Sequence, residues 1–187
     1  MIKKVVFILL TLNLIMFTLE SCCTEQHGKI TGLAGSQISP IQSSSFEFDE
    51  DLLCYVVNGP FSWGFSGDAQ LVSSANTSQY AAYATQPCGI ESWVNDFDST
   101  SFKVFFTDEF SYQQNTIRDS TNIYFLIDSW SEQDLRHIIS FLNLSFDSTF
   151  ISRSEFDTNH VYTLHFEGFT TDSIALADSV KIRFDFN

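Results

Sequence analysis

Positive charge is what this chain has least of: nine Lys and Arg stand against 23 Asp and Glu, a formal net charge of −14. A surface of that sign repels phosphate backbones and anionic headgroups, which speaks against nucleic-acid binding and against docking on a membrane by charge. Histidine is nearly as scarce, with His27, His137, His160 and His165 the only four. No two of them have the i, i+4 spacing of a zinc-protease helix, and no C-x-x-C is present, so no metal is assigned. His160 and His165 lie five apart, which on a strand sends them to opposite faces, and His165 reads as a sheet-face residue. A glycine-rich phosphate loop is missing. The stretch WGFSG (Trp63–Gly67) lacks the G-x-S-x-G spacing of a nucleophile elbow and reads as a loop. Proline and methionine are rare, three and two residues, whereas phenylalanine is abundant at 20.

Long apolar runs are missing too, apart from the start. Lys3 and Lys4 precede Val5–Leu19, fifteen mostly apolar residues interrupted by Thr11, Asn13 and Thr18. A positive segment followed by a run of that length reads as a secretory leader and is shorter than the roughly twenty residues a spanning helix needs. Leu19-Glu20-Ser21-Cys22 resembles the lipobox of bacterial lipoproteins, with Glu20 departing from the usual small or apolar residue. The resemblance implies cleavage before Cys22 and a diacylglycerol on its thiol. Several acyl chains, at roughly 0.8 kcal/mol per buried methylene, make a lasting anchor. Removing residues 1–21 takes away Lys3, Lys4 and Glu20, leaving 7 basic and 22 acidic side chains and a net charge of −15. With Cys22 acylated, Cys54 and Cys88 form one plausible disulfide in an oxidising envelope, contributing about 3–4 kcal/mol by loop-closure entropy. Pairing of Cys23 with either remains the alternative.

The mature chain is long enough for one domain with a real core. Residues 22–27 are expected to form the lipidated cysteine and a short tether, and residues 28–187 a single domain. Strand patterns dominate. Val180, Ile182, Phe184 and Phe186 alternate with Lys181, Arg183 and Asp185; Phe102, Val104 and Phe106 alternate, as do Tyr162, Leu164 and Phe166. Ile30–Leu33, Phe46–Val57, Gln70–Ser74, Asn122–Ile127 and Leu144–Phe150 are further candidates. Turns are expected at Asn58-Gly59-Pro60, Ser66-Gly67-Asp68 and Asp119-Ser120. One segment departs from this pattern: SEQDLRHIISFLN places Leu135, Ile138, Ile139 and Leu142 at helical spacing, with Ser131 and Asp134 forming a capping box. It predicts a helix of about three turns. The paired pieces FDSTSF (Phe97–Phe102) and FDSTF (Phe146–Phe150) read as turns leading into strands, with Asp and Ser bonding local backbone. The sum is a mainly β protein: an antiparallel β-sandwich of immunoglobulin-like layout with one short α-helix.

The double cysteine after the lipobox, ITGL (Ile30–Leu33), AYATQP (Ala82–Pro87) and a short helix late in the chain are together similar to an uncharacterised family of small lipoproteins from Bacteroidota. That resemblance implies a place at the outer membrane or cell surface and a β fold, and nothing catalytic.

Carboxylates are the one chemical group in surplus. Glu47, Asp49 and Asp51 fall on one face of a strand, Asp96 and Asp98 flank Phe97, and Asp108-Glu109 follows a strand. Neither a D-x-D-x-D-G calcium loop nor an identifiable acid pair for glycoside hydrolysis is present. A solvated acidic surface that keeps strand edges apart is the expectation. Phe61, Trp63 and Phe65 alternate on one face, where phenylalanines pack inward, while Trp63, Trp93 and Trp130 lie near turns as candidate exposed, ligand-stacking rings. No cofactor and no catalytic residue are assigned. The expected function is a lipid-anchored, non-enzymatic binding or assembly module with a protein or glycan partner. The alternatives are a carbohydrate-binding surface module and an Asp/Glu-dependent hydrolase.

Overall fold

The computed structural model describes residues 26–42, 44–73, 92–134 and 139–186. Thirteen strands are described there: β1 (Gln26–Pro40), β2 (Phe46–Asp49), β3 (Cys54–Val57), β4 (Phe61–Ser73), β5 (Ser92–Trp93), β6 (Phe97–Phe106), β7 (Phe110–Tyr112), β8 (Asn115–Ile117), β9 (Asp128–Asp134), β10 (Ile139–Phe146), β11 (Ser154–Glu155), β12 (Val161–Thr170) and β13 (Ala175–Phe184). They build two five-stranded sheets, β5-β1-β4-β10-β9 and β2-β3-β13-β12-β6, plus a small sheet β11-β7-β8. Pairing is antiparallel except for β1 with β5 and β13 with β3. The protein is therefore mainly β, and aromatic rings join the two large sheets into a sandwich. Phe65 of β4 meets Phe166 of β12 at 4.9 Å, and Phe61 of β4 meets Phe184 of β13 at 6.3 Å.

Alternation identifies these strands because one face of each is dry. Phe102, Val104 and Phe106 are buried, as are Tyr162, Leu164 and Phe166, and Ile182 with Phe184. His165 sits on the opposite face of β12, stacked on Phe105 at 5.0 Å and bonded to Thr107 at 2.8 Å.

The predicted three-turn helix is not formed. Ser131–Asp134 belongs to β9 and Ile139–Leu142 to β10, which pair with each other in antiparallel register; residues 135–138 lie outside the described residues. The helical stripe shares Leu142 with a second pattern of period two: Ser140, Leu142, Leu144 and Phe146 are all buried. Seven successive pairs with β4, from Ser140–Gly67 to Phe146–Phe61, satisfy that pattern on both strands. Tertiary pairing thus overrides a local helical preference.

The short helix lies further on, as α1 (Ser148–Arg153), where the Asp147 carboxylate accepts a hydrogen bond from the Phe150 amide at 2.7 Å. The two FDST pieces thus diverge. Asp147 caps a helix rather than opening a strand, whereas Asp98 accepts from the Thr100 amide within β6.

Three further expectations shift. Phe46–Val57 is a hairpin and not one strand, because Asp49 accepts bonds from the amides of Asp51 and Leu52 and Leu53 takes φ 50°. Asp51 consequently leaves the face shared by Glu47 and Asp49. Asn122–Ile127 contains a 3-10 turn (Tyr124–Leu126), and the Asn122 side chain pairs with the β6 backbone at Val104 and Phe102 in place of a strand. Ser66-Gly67-Asp68 and WGFSG run straight through β4 as strand, and the irregularity falls on β1, around Gly32 and Leu33.

Candidate ligand-binding face

Strand β4 carries two kinds of side chain on its two faces. Phe61, Trp63 and Phe65 point into the core and are at most 2% exposed, while the intervening Ser62, Gly64 and Ser66 face outward. Register extends that outer face across the first sheet. Gln37, Gly64, Asn143 and Trp130 form one row over β1, β4, β10 and β9; Gly35, Ser66, Phe141 and Glu132 form the next. Small residues make the floor, and Trp130 (51% exposed) and Phe141 (37% exposed) stand above it. The result is a groove of about 380 Å³.

None of the side chains lining this groove titrates. It offers two aromatic faces, the amides of Gln37 and Asn143, and serine hydroxyls. Asn143 Oδ1 has no hydrogen-bond partner in the protein. Ser62 and Ser66 donate only long bonds of 3.4 Å to the carbonyls of Ser39 and Gly35. Such a set can hold a ligand by stacking and hydrogen bonding, but holds no acid, base or nucleophile of useful strength.

Of the three candidate stacking rings, only Trp130 reaches this face. Trp63 is a correction: it is fully buried between Phe61 and Phe65 on the inner face, with Phe65 at 4.6 Å. Nearness to a turn in sequence did not matter, because β4 continues through it. Trp93, in the short edge strand β5, is half-buried against the core. Cys54 is fully buried and its thiol is pushed up by desolvation, and secondarily by Asp49. Cys22, Cys23 and Cys88 lie outside the described residues.

The carboxylates are dispersed. Asp49 pairs with Arg183 at 3.5 Å, Asp96 accepts from Gln133 at 2.9 Å, Asp98 bonds Thr100, and Asp108 meets His160 at 3.1 Å. No group of three His, Cys, Asp or Glu side chains fit to hold a metal is found among the described residues. One acidic site is strongly organised, and it is structural. Asn95, buried, bonds both backbone groups of Ile30 and also Asp172. Asp172 further pairs with Lys29 at 2.7 Å and accepts from Thr170. Hydrogen bonds from Lys29, Thr170 and Asn95 hold its carboxyl well below the usual range. This cluster ties the β12–β13 turn to β1.

Sequence reasoning missed Gln37, Gly64, Phe141 and Asn143. The signal was present in FSWGFSG, where Ser, Gly and Ser alternate with rings and so mark an outer face of small residues. No helix among the described residues is long and apolar enough to cross a membrane. Comparison of the chain with protein-family models, curated proteins and solved structures found no match.

Proposed function

We propose that this protein is a lipid-anchored module of the cell envelope that binds its partner on the outer face of the first sheet and carries out no chemistry there. The observation that carries the binding reading is the groove itself, an open sheet face lined by exposed rings, serine hydroxyls and the amides of Gln37 and Asn143, with no titratable lining. Two sequence features support the anchored reading: the lipobox-like Leu19–Cys22 after a short apolar leader, and an acidic surface that leaves lipid as the means of attachment. The short motifs that resemble small Bacteroidota lipoproteins, ITGL (Ile30–Leu33) and AYATQP (Ala82–Pro87) after the double cysteine, support a place at the outer membrane or cell surface.

A second reading, an accessory subunit in an envelope complex, draws on the β2–β3 hairpin. Phe46, Phe48, Leu52 and Leu53 are exposed there at the edge of the second sheet.

The anchor is tested by growing cells with radiolabelled fatty acid. Label is expected in the membrane-bound wild-type protein and absent from Cys22→Ser, which should leave the membrane fraction. Equal labelling of both would end the lipoprotein reading.

A further inference from the structure

We infer that the groove on the outer face of the first sheet takes an uncharged saccharide, stacked on Trp130. The inference deepens the binding-module reading and depends on it. Three observations select this occupant.

The first is charge. No cation lines the groove, and Asp128 and Glu132 flank Trp130 on the same outward face of β9, one row to either side, opposite Ser145 and Phe141. Phosphorylated or carboxylated ligands are repelled at such a place, on a chain whose net charge is −14.

The second is polarity. Beside its aromatic and glycine surface, the groove carries the hydroxyls of Ser62 and Ser66 and the amides of Gln37 and Asn143, so a ligand with both apolar faces and hydroxyls finds a partner for each. Asn143 Oδ1 is buried at the groove and has no hydrogen-bond partner in the protein, which leaves an acceptor for a hydroxyl such as a saccharide supplies.

The third is shape. Gly64 opens a low point between Gln37 and Asn143 in the row that ends on Trp130, so a flat ring has floor beneath it and an indole beside it. A Cβ at Gly64 would stand 3.9 Å from Asn143 Oδ1 and begin to fill that point. The apolar faces of sugar rings stack on indole while their rim hydroxyls hydrogen-bond to amides, which matches this combination.

The test uses the detergent-solubilised full-length protein in affinity electrophoresis through gels containing a neutral glucan, mannan, galactan or xylan, and, separately, a polyuronate. Retardation is expected in at least one neutral gel and not in the polyuronate gel. Trp130→Ala should weaken retention about tenfold or more, as expected when a stacking ring is lost. Trp130→Phe should keep part of it, and Phe169→Ala, exposed on β12 of the second sheet, should keep all of it. Trp130 is half-exposed, so near-ultraviolet circular dichroism should show the variants folded. Failure to bind every neutral polymer, preference for the polyuronate, or full retention by folded Trp130→Ala would each overturn the saccharide inference. None of these results touches the fatty-acid labelling at Cys22, so the anchored reading stands or falls separately.

Discussion

Replacing Phe184 with Ala is expected to cost about 3–5 kcal/mol of stability, the range for deleting a fully buried ring. Phe184 is completely buried near the end of β13, and five aromatic neighbours converge on it. Phe156 stacks on it at 3.8 Å, and Tyr162, Phe61 and Phe106 lie 5.9 to 6.3 Å away. These rings come from both large sheets and from the segment after β11. Removing the shared ring therefore leaves a cavity that no single element can close by shifting. Phe186, two residues on and 42% exposed, stacks on Phe184 from outside at 5.6 Å. Phe186→Ala should cost no more than about 1 kcal/mol. Urea unfolding of both variants checks the contrast. A Phe184→Ala loss as small as that of Phe186→Ala would mean that the sheets do not meet where described.

The second large effect is expected at Gly67. A Cβ there would stand 1.7 Å from the Oγ of Ser140, 3.1 Å from its Cβ and 3.2 Å from its carbonyl oxygen. Rotating the Ser140 hydroxyl away relieves the first contact but not the other two, so β4 and β10 must separate at their Gly67–Ser140 pair. Gly67→Ala should destabilise the domain by roughly 1–3 kcal/mol or more, the cost of overpacking. Gly32→Ala meets nothing within 4 Å and serves as the comparison. The cause can be isolated with a double-mutant cycle, since in a Ser140→Gly background the penalty of Gly67→Ala should shrink by at least half. An unchanged penalty would place the clash elsewhere and would question the register of β4 against β10.

That register also explains what could and could not be read from the residues. Strands β6, β12 and β13 were legible because each buries one face and exposes the other, which writes a period of two into the sequence. The segment 131–142 was misread because its apolar spacing fits a helix locally, and the deciding partner, β4, lies some 70 residues earlier. The hairpin at 46–57 was read as one strand because its turn carries no Gly or Pro, only Asp49 folding over the amides ahead of it and Leu53 at φ 50°. The groove was least legible. Gln37, Gly64, Asn143 and Trp130 are far apart in sequence, and only cross-strand pairing aligns them in one row. Each looks unremarkable alone: a polar residue, a small one, another polar residue, and an indole near a turn. Trp130 could be proposed as an exposed ring without knowing its neighbours, whereas the burial of Trp63 followed from its place between Phe61 and Phe65.

The three tryptophans give the most direct measurement, because they differ in depth and only one faces the groove. In a nitrogen–proton correlation spectrum each indole N–H contributes one signal, and Trp130→Phe assigns one of them by its loss. On addition of the neutral glycan that retards the protein, the account predicts that the Trp130 signal moves and saturates while those of Trp63 and Trp93 stay in place. A glycan that binds with the Trp130 signal unmoved, or that shifts Trp93 instead, would contradict the assignment of the outer face of the first sheet as the binding surface.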